Sequence, residues 1–119
     1  MWKRWMELAE ADLDSAKSVF SVDRYYVVVF LCEQAVEKGL KALAIRKGLG
    51  LIKTHDLVML AKSVGLSEEY FLKLDELFEC YIKTRYIIEI CRETFFDEKL
   101  AKKFIKLSED VILWIKKKV

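Results

Sequence analysis

The segment from Arg24 to Lys47 constrains the fold most, because its first half is apolar on every side of a helix. Residues 25–32 read YYVVVFLC, eight apolar or aromatic residues in succession. A helix that is hydrophobic all round is buried by neighbours on several sides, and the run is far shorter than the roughly 20 residues that a membrane span needs. We therefore predict that this segment is the central helix of the fold. Gly39 predicts close approach of a neighbouring helix, and Gly48 suits the position just after the helix end.

Apolar residues elsewhere recur at steps of three or four, which is the spacing of one helix face. The pattern predicts four further helices: a first from Trp2 to Phe20, a short third from about His55 to Val64 capped by Thr54, a fourth capped by Ser67, and a last capped by Asp97. The chain has no proline and only four glycines, which favours short connections. We predict an all-α fold, an up-down antiparallel four-helix bundle with an additional short helix.

The length and charge of the chain limit its class. Its 119 residues suffice for one domain and are few for two, so we predict a single helical domain over residues 1–119. With 21 basic and 19 acidic residues the net charge is +2, which makes no electrostatic case for a dedicated nucleic-acid binder. The three cysteines show no CxxC spacing and the N-terminus has no signal-peptide hydrophobic region. We therefore predict reduced thiols in a cytoplasmic protein.

A polar stripe interrupts the central helix in its second half. Gln34, Glu37, Lys38 and Lys41 fall within about 100° of one another around a helix, on the sector that is apolar earlier in the same segment. One interpretation is that the helix leaves the core there and that Glu37 and Lys41 form a solvent-exposed pair. The other is a polar groove between helices.

Arg85 makes the second interpretation more specific. It follows Tyr81 by four residues and Phe78 by seven, so it lies on the core-facing side of the predicted fourth helix. A buried arginine needs a carboxylate partner or must reach water. Glu37 is a candidate partner, either in a purely structural ion pair or in a binding site.

The sequence contains no recognisable motif for a cofactor or a metal. His55 is the only histidine, and one histidine without further ligands cannot form a zinc site. P-loop, GxGxxG, GxSxG and HExxH patterns are absent from the 119 residues. We predict no cofactor and no metal site, and we interpret His55 as a residue that makes local hydrogen bonds or lines the polar groove.

Three blocks together resemble the HEPN domain family over nearly the whole chain, from about Ala11 to Val111. They are the QAVEKGLK block at residues 34–41, the THDL block at residues 54–57, and the Tyr81-x-x-x-Arg85-Tyr86 block. The resemblance implies a five-helix domain around an antiparallel four-helix bundle that is commonly dimeric. It also implies a small nucleotidyltransferase as a genetic neighbour or fusion partner, as in two-component toxin–antitoxin pairs.

Many family members are metal-independent ribonucleases that use an Arg-x4–6-His motif, and this chain lacks it. Counting from Arg85, the permitted positions hold Ile90, Cys91 and Arg92; counting from Arg92, they hold Asp97, Glu98 and Lys99. Without the imidazole the site has no proton shuttle near neutral pH. The resemblance therefore implies a HEPN protein without this catalytic motif.

We expect a non-catalytic partner of a minimal nucleotidyltransferase that binds nucleotide or nucleic acid. The groove would be formed by Gln34, Glu37, Lys38, Lys41, His55 and Arg85. Two alternatives remain open, namely a ribonuclease toxin with a non-standard site that uses Arg85, and a purely structural dimerisation module. We also expect a homodimer, because Trp2, Trp5, Phe95 and Phe96 are more aromatic surface than a small bundle readily hides.

Overall fold

Helices form nearly all of the protein that the computed structural model describes, namely residues 1–84 and 96–119. Five α-helices and one 3₁₀ turn follow one another, and these ranges contain no β-strand. The elements are α1 (Trp2–Phe20), α2 (Tyr25–Arg46), α3 (Leu57–Val64), the 3₁₀ turn (Glu68–Tyr70), α4 (Phe71–Thr84) and α5 (Glu98–Lys118). The predicted all-α class and the extents of the first two helices are confirmed.

Helix α1 is antiparallel to both of the other long helices, α2 and α5. Tyr25 at the start of α2 packs against Phe20 at the end of α1, and further along Lys38 bonds to Asp12, so α1 and α2 are antiparallel. Helix α5 is antiparallel to α1, since the later of two α1 residues pairs with the earlier of two α5 residues. The pairs are Lys17 with Glu109 and Lys116 with Glu10, both at 2.8 Å.

Helix α4 completes the bundle, and α3 lies across its end. The Val64 carbonyl at the end of α3 accepts a 2.9 Å hydrogen bond from Lys47 Nζ, just beyond α2. Helix α4 then runs back along α2, so that its Tyr81 ring lies 5.8 Å from the ring of Phe30. The predicted four-helix bundle with a short extra helix is therefore confirmed.

Helix α2 is the central element, as its apolar first half predicted. Val29, Val36, Leu40 and Leu43 along this helix are all fully buried. Gly39 lies where α5 crosses α2: a Cβ at this position would be 2.8 Å from Ile112 Cδ1 and 3.0 Å from Ile115 Cδ1. The predicted close approach is thus confirmed, and α5 is the neighbouring helix.

The helix ends agree with the sequence pattern only in part. Gly48 follows α2 with a φ of +85° and Asp97 caps α5 by accepting from the Leu100 amide, both as predicted. The predicted cap of α3 is wrong. Asp56, not Thr54, accepts from the first free amides of α3, because Asp56 still has extended backbone angles and the helix begins only after it. Ser67 makes no side-chain cap, and the turn after it is 3₁₀ rather than α-helical.

The aromatic residues that suggested a dimer are not equally exposed. Phe96 retains only 3% of its accessible surface and belongs to the core of the single chain. Trp2 and Trp5 are partly buried against that core. Phe95 lies outside the described residues. Phe96 therefore gives no support to an aromatic dimer surface, because the space between α5 and its neighbours already accommodates it.

The contact at Gly39 yields a prediction about coupling between α2 and α5. Gly39→Ala gains helix propensity but brings its new methyl against Ile112 Cδ1. Ile112→Val removes that methyl, so the double variant should be more stable than the sum of the single changes, by about 0.5–3 kcal/mol. A double-mutant cycle by urea denaturation measures this coupling energy. Additivity of the two single changes would contradict it.

Candidate functional site

The polar stripe of α2 contains a buried ion pair. Lys41 Nζ donates to Glu37 Oε2 at 2.9 Å, one helical turn apart, and the two side chains are only 9% and 7% exposed. The interpretation that this pair is solvent-exposed is therefore wrong. The helix does not leave the core at this point, because α1 and the segment before α3 cover the stripe.

Trp5 of α1 is the first of these covers. Lys41 Nζ lies 5.9 Å from the centroid of the Trp5 ring, a geometry in which the π face attracts the ammonium group. The tryptophan replaces water that Lys41 would otherwise bind. The Lys41 charge is thus held between one carboxylate and one aromatic ring.

His55 is the second side chain that contacts the Glu37 carboxylate. Its Nδ1 lies 3.0 Å from Glu37 Oε1. An ionised carboxylate can only accept, so Nδ1 carries the proton in this contact and the other ring nitrogen remains available on the far side of the ring. The His55 side chain is 62% exposed whereas Glu37 is buried. His55 therefore connects an interior carboxylate to the surface.

Local structure holds His55 in this place. Asp56, the next residue, accepts from the amides of Val58 and Met59 and so fixes the start of α3. The Thr54 hydroxyl accepts from the Asp56 amide at 3.1 Å. His55 is therefore held between two side chains that bond to the backbone, beside α2.

A second carboxyl group, Glu33, lies one turn before Glu37 and is fully buried. Gln34 Nε2 donates to Glu33 Oε1 at 2.7 Å. Burial and the negative charge of Glu37 raise the pKa of Glu33 to about 9, so Glu33 is protonated at neutral pH. Its hydroxyl then donates to Glu37, which accounts for an oxygen, Oε2, that has no other partner among the described residues.

Glu37 remains ionised. Burial by itself raises the pKa of Glu37, but hydrogen bonds from Lys41, His55 and Glu33 outweigh that effect, and the pKa is lowered from its ordinary value. One buried carboxylate thus accepts from an ammonium group, an imidazole and a carboxylic acid. We call Glu33, Gln34, Glu37, Lys41 and His55 the polar cluster.

The polar cluster contains four of the six residues predicted to line a groove: Gln34, Glu37, Lys41 and His55. Lys38 lies at the edge of the stripe and is not part of this network, since its Nζ bonds to Asp12 of α1 at 2.7 Å. Arg85 lies outside the described residues, which end in α4 at Thr84.

Sequence reasoning missed Glu33, although a signal was present. Glu33 stands four residues before Glu37, and the positions around it on the helix include Val29 and Val36. An acidic residue on an apolar helix face, one turn from a second acidic residue, indicates a shared proton.

The polar cluster has the chemistry of a proton-sharing site with one exposed imidazole. No group of three or more histidine, cysteine, aspartate or glutamate side chains suited to a metal occurs in residues 1–84 and 96–119. None of the helices in these ranges is long and apolar enough to cross a membrane.

The shared proton predicts a pH dependence of stability. Unfolded Glu33 ionises near pH 4.5, whereas folded Glu33 keeps its proton to about pH 9. In this window the folded state binds the extra proton, so the contribution of Glu33 to the unfolding free energy falls as pH rises, by at most about 1.4 kcal/mol per pH unit. Glu33→Gln should gain stability relative to wild type as pH rises through the window.

Urea denaturation at several pH values measures this, with the exposed Glu79→Gln as control. A constant difference between Glu33→Gln and wild type would contradict the prediction.

The buried ion pair predicts a large asymmetry between single and double substitutions. Lys41→Met leaves the Glu37 carboxylate buried without its ammonium partner and should cost about 3–5 kcal/mol of unfolding free energy. Adding Glu37→Leu removes the uncompensated charge and should restore part of that loss. Lys38→Met is the matched control, because its partly exposed pair with Asp12 is worth about 1 kcal/mol or less. Equal costs for Lys41→Met and Lys38→Met would show that the Glu37–Lys41 pair behaves as a surface pair.

Comparison with known proteins agrees with the fold and the sequence blocks. The family model described as HEPN domain matches residues 2–119. The crystal structure of TT1696 from Thermus thermophilus superposes with a TM-score of 0.89, at 22% identity over 99% of this chain and 98% of that one. ST0689, an archaeal HEPN homologue, superposes with a TM-score of 0.81, at 24% identity over 98% and 95%. No curated protein matches the chain. The family match over residues 2–119 shows that the chain belongs to the HEPN domain family.

Proposed function

We propose that this protein is a cytoplasmic, non-catalytic HEPN protein that forms a homodimer and partners a minimal nucleotidyltransferase. In this proposal the pair works as a two-component system of the toxin–antitoxin type. The HEPN chain contributes binding of a nucleotide, or of nucleic acid carrying the same phosphate groups, at the polar cluster. Membership of the HEPN family supports the class of protein, and the polar cluster supports a role in binding.

The observation that carries the proposal is the buried Glu37 carboxylate with its bonds to Lys41 and His55. Removing such charges from water costs several kcal/mol, and an apolar replacement of equal volume often stabilises a fold as well or better. A bundle with the apolar core of this chain does not need a charged cluster to fold. The cluster is better explained by an interaction that needs an imidazole held in one orientation.

The geometry of the cluster suits an anionic ligand. His55 is largely exposed, and the ring nitrogen that does not face Glu37 is available to a ligand. When the imidazole is protonated, that nitrogen donates a hydrogen bond to a phosphate oxygen while Nδ1 continues to donate to Glu37. Glu37 thereby fixes the orientation of the ring. His55 is the residue of the cluster that we expect to touch the phosphate.

The end of α4 supports a role for Arg85 in the same site. Tyr81 packs against Phe30, which lies one turn before Gln34 on α2, and Arg85 follows Tyr81 by four residues. We assign Arg85 to the phosphate as well, because its planar guanidinium can bind two oxygens at once. Lys41 is buried and would not touch the phosphate. Its positive charge would attract the phosphate at a distance.

Calorimetric titration with ATP and with GTP tests the proposal. The protein is titrated alone and in complex with the nucleotidyltransferase that the proposal expects a neighbouring gene to encode. Binding should be saturable in at least one form, and His55→Ala should weaken it roughly tenfold through loss of one charge-assisted hydrogen bond. Lys38→Met removes a lysine that is paired with Asp12 rather than with Glu37, and this variant should bind like wild type.

Three results would contradict the proposal. The first is the absence of heat with either nucleotide in either form. The second is equal weakening by His55→Ala and Lys38→Met, which would place the binding elsewhere. The third is cleavage of RNA by the purified protein that disappears in Arg85→Ala, which would identify a ribonuclease with a non-standard active site.

A further inference from the structure

A second surface, distinct from the polar cluster, lies between the start of α3 and the start of α4. It is an open cleft of about 820 Å³. Four carboxylates line it, those of Asp56, Glu68, Glu69 and Asp75. Val58, Phe71 and Leu72 provide its apolar surface, and the described residues that line it include no lysine, arginine or histidine. We call this surface the acidic cleft.

Helix capping explains some of these acidic residues but not the whole cleft. Asp56 caps α3, and Glu68 and Glu69 lie in the first turn of a helical segment, where negative charge is favourable. Asp75 lies in the second turn of α4 and has no such role. Leu72 also lines the cleft and is 83% exposed. Because so little of this side chain is buried, it contributes little to the stability of the fold.

The combination of charge and apolar surface restricts the occupant. Four carboxylates repel the phosphates of nucleic acid. Carboxylates alone would suit a small cation, but no group suited to a metal occurs among the described residues, and a metal gains nothing from Phe71 and Leu72. A peptide segment that carries lysines or arginines beside an apolar side chain complements both features at once.

Two features of the cleft fit such a segment. Phe71 already lies near an ammonium group, since Lys62 Nζ is 5.7 Å from its ring centroid, so the ring is placed where cations are attracted to it. The cleft is also open to solvent between the starts of α3 and α4, so a segment of another chain can enter it.

We propose that the acidic cleft binds a basic amphipathic segment of a partner protein. This goes beyond the proposed function, because it needs no nucleotide and does not involve Glu37 or Lys41. It does adjoin the polar cluster in sequence, since His55 immediately precedes Asp56. A partner seated in the cleft would therefore lie close to the exposed imidazole.

Fluorescence anisotropy with a labelled helical peptide tests the proposal. The probe carries leucines at i and i+4 and lysines at its other positions; a second peptide replaces both leucines by serine. The first peptide should bind saturably, and the second should bind about tenfold more weakly. Asp75→Lys and Leu72→Ser should each weaken binding of the first peptide by about fivefold or more.

Matched controls separate the cleft from general electrostatic attraction. Glu79→Lys changes an exposed acidic residue of α4 outside the cleft, and Leu113→Ser changes an exposed leucine of α5. Both should leave affinity within about twofold of wild type. Circular dichroism melting confirms that each variant is folded.

Three outcomes would overturn the proposal. One is the absence of saturable binding. Another is equal loss of affinity in Asp75→Lys and Glu79→Lys, or equal binding of the leucine-free peptide, which would mean unspecific charge attraction. The last is sedimentation that shows a dimer dissociated by Leu72→Ser but not by Leu113→Ser, which would make a second copy of this chain the occupant. ATP titration does not depend on any of these results, so this proposal and the proposed function can fail separately.

Discussion

The buried carboxylate of Glu37 is the interaction on which the rest of the site depends. It keeps its charge inside the bundle because Lys41, His55 and the protonated Glu33 all donate to it. Each donor comes with its own constraint. Lys41 lies against the Trp5 ring, and His55 directly precedes the Asp56 cap of α3. One charge therefore ties α1, α2 and the segment before α3 into a single arrangement.

The bundle provides the rigid frame that such a charge needs. Helix α2 is packed on several sides, and the contact of Gly39 with α5 lets two helices approach closely on the side away from the polar groups. A buried pair is tolerated only where geometry is well fixed, since misplacement by even a small distance leaves a charge without its partner. The packing of the apolar first half of α2 thus positions the polar side chains of its second half.

The sequence predicted the features that depend on residues close together in the chain. It did not predict those that depend on contacts between distant segments. Gly39, Gly48 and Asp97 were interpreted correctly because periodicity and capping are local. Whether Glu37 and Lys41 were buried was not decidable from α2, since α1 and the segment before α3 supply the cover. Phe96 was wrongly interpreted as surface because the residues that bury it are also distant in the sequence.

Two errors have more specific causes. Thr54 and Asp56 are both good capping residues, and only the extended backbone between them selects Asp56. Glu33 was overlooked because it falls outside the polar stripe that drew attention to α2. The acidic cleft likewise joins residues from α3 and α4 that no local pattern connects. The family resemblance, by contrast, rested on three short blocks and is confirmed by a match over residues 2–119.

The central claim is that Glu37 is ionised inside the bundle while Glu33, one turn away, holds a proton. Carbon-detected NMR of the side-chain carboxyl groups over a pH series tests it most directly. We predict that the Glu33 carboxyl remains protonated through neutral pH and titrates at about 9, while Glu37 stays ionised until the pH falls below its ordinary range. Titration of both carboxyls near 4.5, as free glutamates behave, would contradict the account.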